Sequence, residues 1–196
     1  HSPMSKPIML CGPTGCGKTE LINHLAKMCG CPVISINTSE CSATGWKGIS
    51  INDVIADQAR KYPREELLRS IIYVDEVDKI THYGTKGSAD DMGFDIQRDL
   101  MNLCDSRKPM RLNMGINKSL EQTFIDVPTS NMLIVFSGAF SGIENIIAKR
   151  LNLNNKVGFK SKYIEPNLTP LNLEPCPTDL VEWGFLTELV GRIGTI

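Results

Sequence analysis

Eight consecutive residues near the start of the chain have the types and spacing of a phosphate-binding loop: Gly12-Pro13-Thr14-Gly15-Cys16-Gly17-Lys18-Thr19. Its glycines let the backbone curl until successive N–H groups point at phosphate oxygens, and the helix that follows adds its positive end. We expect the Lys18 ammonium to reach the β and γ phosphates of a nucleoside triphosphate, and the Thr19 hydroxyl to ligate Mg²⁺. The loop predicts binding of ATP with Mg²⁺. The alternative is a glycine-rich turn with an incidental lysine.

Two adjacent carboxylates follow an apolar run farther along the chain. Residues 71–74 are isoleucine, isoleucine, tyrosine and valine, which favour a buried parallel strand, and Asp75 and Glu76 stand at its carboxyl end. Because ligands bind where parallel strands end, this pair should lie beside the phosphate loop. We expect Asp75 to hold the water shell of Mg²⁺ and Glu76 to polarise an attacking water, which predicts hydrolysis. The alternative is an ordinary solvated strand end.

Composition limits the classes of protein to which the chain can belong. Its 196 residues, 41% of them hydrophobic, can bury one substantial core, which predicts one α/β domain. The net charge of −1 argues against a nucleic-acid partner, and the lack of an apolar run of about 18 residues argues against a membrane span. Seven cysteines without paired CxxC spacing argue against zinc or disulfides. We interpret residues 1–4 as a cloning remnant and expect a soluble intracellular protein.

Strands and helices alternate along the sequence. We predict strands at 7–11, 33–37, 71–75 and 132–137, and helices at 18–29, 50–61, 92–105 and 141–151. The first helix should have one apolar face, formed by Leu21, Ile22, Leu25 and Met28. Three segments interrupt the alternation: a polar one at 81–91, a basic irregular one at 106–123 and a proline-containing one at 152–177. The alternation predicts a parallel sheet covered by helices on both faces.

Four motifs occur in the order found in one known family. They are the phosphate loop and residues 72–80 (IYVDEVDKI), 136–142 (FSGAFSG) and 184–192 (GFLTELVGR). On these motifs the chain resembles, nearly end to end, the ATPase domain of the ClpX family of AAA+ protein unfoldases. The resemblance implies a large AAA+ domain over residues 5–196, with a P-loop NTPase fold and a five-stranded parallel sheet. It also implies a homo-hexamer that threads unfolded or tagged proteins through a central pore to a ClpP-type peptidase.

The resemblance assigns roles to two further residues. Arg192 corresponds to the family's arginine finger, which reaches the γ phosphate held by a neighbouring subunit, and its guanidinium stays charged and can grip two oxygens. The alternative for Arg192 is a cation that caps the C-terminus of a short helix. Ser137 corresponds to the polar sensor-1 position, at the end of a predicted buried strand. Together with Lys18 and Glu76, Arg192 completes the predicted catalytic set.

Two loops resemble the parts of the family that handle polypeptides. The place of the aromatic pore loop is taken by Gly45-Trp46-Lys47-Gly48, and a ring between two glycines can grip a passing chain. The place of the loop that docks into apolar pockets of the peptidase ring is taken by Val157-Gly158-Phe159. The alternatives are a tryptophan that covers the sheet edge and an ordinary surface loop.

The chain also departs from the family. We expect the sequence to lack the family's zinc-binding amino-terminal domain and its small helical carboxyl-terminal domain. Residues 117–119 stand near the place of the family's basic pore-entrance motif. Two other functions remain open: a DNA-remodelling or helicase-loading AAA+ ATPase, and a nucleotide-gated adaptor without turnover. The first would need a basic pore that binds single strands, and Glu76 and Arg192 argue against the second. We expect a cytoplasmic location, or an organelle matrix of bacterial descent.

Overall fold

The computed structural model describes residues 6–41, 50–81, 90–105, 108–116, 122–151 and 174–196. The strands are β1 Ile8–Cys11, β2 Val33–Asn37, β3 Ile71–Asp75, β4 Met110–Ile116, β5 Gln122–Val127 and β6 Leu133–Gly138. The helices are α1 Lys18–Cys29, α2 Ile51–Ala59, α3 Arg64–Leu67, α4 Asp90–Leu103, α5 Ile143–Arg150, α6 Pro177–Trp183 and α7 Thr187–Val190. Two short 3₁₀ turns follow β2 and β3, at Thr38–Glu40 and Val77–Ile80.

Four parallel strands form the central sheet, in the order β1, β6, β3, β2. The parallel sheet is confirmed, but the predicted count of five strands exceeds the four found in the described residues. At the outer edge of β1, a single bridge joins Ile8 to Thr195, and the Met9 N–H donates to the Thr195 carbonyl at 2.8 Å. Pairing at this edge is too short to form a fifth strand.

Helices cover both faces of the sheet, as predicted. Alternate residues of β3 point to opposite faces, so Ile71 and Tyr73 join a small apolar cluster under α1, while Ile72 and Val74 join the main core. The main core also contains buried side chains from α2, α4, α5, α6 and α7. Among the described helices, α1 is the one whose side chains join the small cluster. The contacts of α1 with β3 and β6 in this cluster therefore position the start of the helix.

The buried face of α1 differs from the prediction. Ile22 and Ala26 pack against the sheet at 3% and 4% exposure, whereas Leu21, Leu25 and Met28 are 58%, 37% and 74% exposed. Positions 22 and 26 are one helical turn apart, so only a narrow stripe of the helix covers the sheet. The sequence contains two apolar stripes on this helix, and packing against β3 and β6 decides which one is buried.

The prediction of an irregular segment at 106–123 is wrong. β4 and β5 pair as an antiparallel hairpin, in which Met110 and Leu112 are 9% and 0% exposed. The Arg111 guanidinium lies 4.7 Å from the centroid of the Phe124 ring. The alternation of apolar and polar residues from 110 to 112 is typical of a strand. The basic residues beside it make the segment resemble an irregular loop in the sequence.

Helix boundaries differ from the predicted ones by one or two residues in α2, α4 and α5, while α1 has the predicted bounds. The predicted interruption at 152–177 overlaps the start of α6, which has Pro177 at its first turn. Within the described ranges, every helix is too short or too polar to cross a membrane.

Candidate functional site

The phosphate loop occupies residues 12–17, between the end of β1 and the first residue of α1. Gly15 and Gly17 have φ values of +80° and +93°, a left-handed conformation that residues with side chains rarely adopt. A Cβ at Gly12 would lie 3.2 Å from the Sγ of Cys16, so glycine leaves room for that thiol. The conformation of the loop therefore depends on the glycines that the sequence analysis identified.

The Lys18 ammonium points back along the loop. Its Nζ donates to the carbonyl of Gly12 at 2.6 Å and to that of Pro13 at 3.0 Å, and it lies 3.9 Å from the Sγ of Cys16. The charge of Lys18 and the positive end of α1 therefore act on the same space beside the loop. An anion placed there would meet both.

Asp75 ends β3, and Glu76 follows it in a left-handed conformation with φ of 58°. Residues other than glycine adopt this conformation rarely, and neighbouring contacts must offset its free-energy cost. Thr38, at 2% exposure, supplies such contacts: its Oγ1 lies 2.7 Å from the Glu76 carbonyl oxygen and 3.2 Å from that of Asp75. The turn after β2 therefore supports the turn after β3.

The Glu76 carboxylate accepts a hydrogen bond from the Ser39 hydroxyl. Asp75 Oδ1 accepts a hydrogen bond from the Glu76 backbone N–H at 2.9 Å. Ser39 therefore orients the Glu76 carboxylate, and the Glu76 backbone orients that of Asp75. Thr38 and Ser39 were not predicted as site residues. Their signal was available, because both follow a predicted strand whose carboxyl end lies beside that of β3.

The phosphate loop and the end of β3 meet at one cleft of about 470 Å³, the P-loop cleft. Across it, Thr19 Oγ1 lies 3.5 Å from Asp75 Oδ2. The lining residues come from the loop, the start of α1, the segment after β3 and the segment after β6: Thr14, Gly15, Gly17, Lys18, Thr19, Glu20, Asp75, Glu76, Asp78, Lys79 and Ala139. The structure thus brings seven predicted site residues together at this cleft: Thr14, Gly15, Gly17, Lys18, Thr19, Asp75 and Glu76.

The oxygens of Thr19 and Asp75 fit the chemistry of Mg²⁺, which prefers hard oxygen ligands and keeps several of its waters. The 3.5 Å between the hydroxyl and the carboxylate lets one ion lie close to both. Thr19 would hold the ion directly and Asp75 through a water molecule. The residues present therefore suit the ion that the sequence analysis predicts.

Tyr73 lies behind Thr19 and was not predicted as a site residue. It is 1% exposed, and its hydroxyl lies 3.1 Å from Thr19 Oγ1. Burial raises the pKa of Tyr73, contacts with the hydroxyls of Ser137 and Thr19 lower it, and the Asp75 carboxylate raises it. Ser137 is fully buried, and its approach to Tyr73 falls short of hydrogen-bond geometry. Ser137 therefore stands behind the wall of the cleft, and Ala139 lines the cleft instead.

Asp78 also lines the P-loop cleft, and the sequence analysis assigned it no role. It is 8% exposed, and its Oδ2 accepts the Phe140 N–H at 3.3 Å. A Cβ at Gly138 would lie 2.8 Å from Asp78 Oδ1, so this approach requires glycine. In the sequence, Asp78 could have been recognised as an acidic residue three positions after Asp75, within the same motif.

Arg192 lies outside the P-loop cleft of its own chain. It follows α7, where its N–H donates to the Leu189 carbonyl at 3.0 Å. Its charge acts instead on Cys104, just beyond the end of α4: burial raises the pKa of that thiol to about 12, and the guanidinium lowers it. The structure therefore does not bring Arg192 to Lys18 and Glu76 of the same chain.

The predicted pore and docking loops lie outside the described residues. They are Gly45, Trp46, Lys47 and Gly48 for the pore, and Val157, Gly158 and Phe159 for the peptidase. Residues 1–4, 82–89 and 117–119 lie outside the described ranges as well. The roles of these segments stay predictions.

Comparison with known proteins gives two results. The family described as AAA domain (Cdc48 subfamily) matches residues 4–196. The ATP-dependent Clp protease ATP-binding subunit ClpX of Porphyromonas gingivalis is 32% identical over 193 residues, which are 95% of this chain and 46% of that protein. Proteins of the same name from Treponema denticola and Bacteroides fragilis are 30% and 31% identical, with the same shares covered. The chain spans about half the length of these curated relatives.

Proposed function

The chain belongs to the AAA domain family (Cdc48 subfamily) and is a ClpX-like AAA+ ATPase, and from this premise we propose that it is a protein unfoldase subunit. In this proposal a homo-hexamer uses ATP hydrolysis to thread unfolded or tagged proteins through its pore to a ClpP-type peptidase. We place this activity in the cytoplasm or in an organelle matrix of bacterial descent. The peptidase connection is supported by the names of the relatives, which are ATP-binding subunits of a Clp protease.

One observation carries the proposal: Lys18, Thr19, Asp75 and Glu76 line a single cleft. Glu76 would accept a proton from a water molecule as the water oxygen bonds to the γ phosphorus and the bond to the leaving ADP oxygen breaks. Lys18 and the N–H groups of the loop would hold the β and γ phosphates during this step. Bound Mg²⁺ supplies charge neutralisation at the phosphates, and Thr19 and Asp75 are the residues that would hold it.

The position of Arg192 supports action on a neighbouring subunit. The cationic side chains that line the cleft are Lys18 and Lys79, and among the described residues no arginine does so. A guanidinium that neutralises the transition state would therefore come from a second copy of the chain. Phosphate release per subunit should then rise with protein concentration, whereas turnover independent of concentration would contradict this role.

The hydrolytic role of Glu76 is tested by Glu76→Gln, which keeps the shape of the side chain but cannot act as a base. Nucleotide binding should persist, and phosphate release should fall by about 10²-fold or more. The matched control is Glu66→Gln, which changes an exposed glutamate on α3. Fluorescent-nucleotide binding and phosphate release are measured side by side on the assembled protein. Unchanged turnover in Glu76→Gln would remove this residue from the mechanism.

Unfolding is tested with a folded, tagged fluorescent protein as substrate. Its fluorescence should fall only when ATP is present, and addition of a ClpP-type peptidase should then degrade it. Glu76→Gln should do neither. If the wild-type protein neither unfolds the substrate nor supports its degradation, and single-stranded DNA stimulates its ATP hydrolysis, the result would support a DNA-remodelling ATPase instead. Nucleotide binding without turnover in the assembled protein would support an adaptor.

A further inference from the structure

The Tyr73 hydroxyl lies where three predicted site residues meet. Its Oη is 3.1 Å from Thr19 Oγ1, and the Asp75 carboxylate and the Ser137 hydroxyl also approach it. The ring of Tyr73 packs in the small apolar cluster between α1 and the sheet. Because the residue is 1% exposed, bulk water cannot take the place of its hydroxyl.

A threonine hydroxyl that ligates a cation through its oxygen still has one O–H, and this group donates a hydrogen bond to another acceptor. Asp75 Oδ2 lies 3.5 Å from Thr19 Oγ1, at the outer limit of a hydrogen bond, whereas Tyr73 Oη lies at 3.1 Å. A tyrosine hydroxyl can accept one hydrogen bond and donate another. Tyr73 is therefore the nearer acceptor for Thr19, and the neighbouring Asp75 carboxylate is the anionic group toward which the Tyr73 hydroxyl can turn.

We propose that Tyr73 is a positioning residue of the Mg²⁺ site: it accepts a hydrogen bond from Thr19 and donates one to Asp75. This relay turns the lone pairs of Thr19 toward the P-loop cleft and orients the Asp75 carboxylate at the same time. The inference rests on the proposed ATPase function and deepens it. Residues that hold metal ligands in this way typically change metal affinity by about 10- to 100-fold when they are replaced.

The test compares Tyr73→Phe with a matched control, Tyr62→Phe, in the assembled protein. Phenylalanine keeps the ring that packs under α1 and removes only the hydroxyl. Tyr62 is half-buried in the turn after α2 and does not line the cleft. Binding of a fluorescent ATP analogue is measured in EDTA and across a Mg²⁺ titration.

The expected result separates a metal-positioning role from a packing role. For Tyr73→Phe, nucleotide affinity in EDTA should stay within about twofold of wild type, while half-saturation should need about tenfold more Mg²⁺. Tyr62→Phe should match wild type in both measurements. An unchanged Mg²⁺ requirement, or an equal loss of affinity with and without Mg²⁺, would overturn the inference. If the wild-type protein bound no nucleotide at all, the proposed function would fail, and this inference with it.

A double-variant comparison links the effect to Thr19. Thr19→Ala should by itself raise the Mg²⁺ concentration that half-saturation requires. Adding Tyr73→Phe to this variant should raise it little further, because both substitutions act through one ligand. Additive effects of the two substitutions would overturn the relay.

A second readout needs no substitution at Tyr73. The ¹³Cζ NMR signal of Tyr73, assigned among the four tyrosines of the chain, should shift when Mg²⁺ is added to the nucleotide-bound protein. The signal of Tyr62 should not shift. A Tyr73 signal whose chemical shift does not change when Mg²⁺ is added would overturn the inference.

Discussion

Cysteine modification can test whether the phosphate loop holds nucleotide. Cys16 is exposed within the loop, and its Sγ lies 3.9 Å from the Lys18 ammonium. Cys29 is exposed as well, at the far end of α1. Helix α1, which is 12 residues and therefore about 18 Å long, lies between the two thiols, so Cys29 is a control within the same molecule.

Two other thiols, those of Cys11 and Cys104, should react slowly with the modifying reagent. Burial, with a smaller effect of the Asp78 charge, raises the pKa of Cys11 from 9.0 to about 12. Burial raises the pKa of Cys104 to about 12 as well. At pH values below about 8, such pKa values lower the thiolate fraction by a factor of about 10³ relative to an ordinary thiol. Iodoacetamide at pH near 8 should therefore modify Cys16 and Cys29 long before these two.

Nucleotide in the loop should shield Cys16 and leave Cys29 unchanged. With Mg²⁺ and a non-hydrolysable ATP analogue at ten times its Kd, about one molecule in eleven is free, so the Cys16 rate should fall about elevenfold. Mass spectrometry of peptides from timed samples gives both rates. The nucleotide concentration that halves the Cys16 rate gives the Kd.

Three results would refute parts of this reasoning. A Cys16 rate that does not change at millimolar nucleotide would refute a phosphate site at residues 12–19. Equal shielding of Cys29 would indicate a general change of the chain rather than binding at the loop. Rapid modification of Cys11 in the folded protein would contradict the burial at the end of β1. The chain unfolded in urea supplies the reference rates.

Three further predictions follow from single side chains. Lys18→Ala should weaken nucleotide binding by about tenfold or more in a fluorescence titration, whereas Lys27→Ala, near the other end of α1, should not. Phe159→Ala should abolish co-sedimentation with a peptidase ring and leave ATP hydrolysis intact, because six weakened loops lose affinity together; persistent docking would contradict this. Burial opposes ionisation of Asp179, but hydrogen bonds from Arg150 and Cys176, together with the Arg150 charge, outweigh it and lower the pKa below 3.8. This carboxylate should therefore stabilise the fold above about pH 4 and cease to do so as pH falls through its lowered pKa, and Asp179→Asn should remove that part of the acid dependence in Tm measurements.

The sequence by itself determined the phosphate loop. Gly15 and Gly17 adopt left-handed φ values that few other residues tolerate, and the flanking strand and helix are contiguous with the loop. The meeting of Asp75 with the loop was also predictable, because parallel strands bring their carboxyl ends to one edge of a sheet. Membership in the family likewise followed from linear motifs, which relatives at 30% to 32% identity confirm.

Side-chain partners around the cleft were decided by the tertiary structure. Tyr73 reaches Thr19 across 54 positions of the chain, and Thr38 reaches the carbonyl of Glu76 across 38. Neither pair has a spacing that a sequence pattern records, because the register between β2 and β3 and the height of α1 above the sheet set the distances. The role of Tyr73 therefore could not be read from its place in an apolar strand.

Packing also decided which surfaces are buried. On α1 the sequence offers two apolar stripes, and contact with β3 and β6 selects Ile22 and Ala26 while Leu21 and Met28 stay exposed. The location of Arg192 outside its own cleft depends in the same way on how α7 packs against α4. Local sequence determines turns and strand ends because their conformations depend on neighbouring residues, whereas the distances between elements depend on the packing of the whole core.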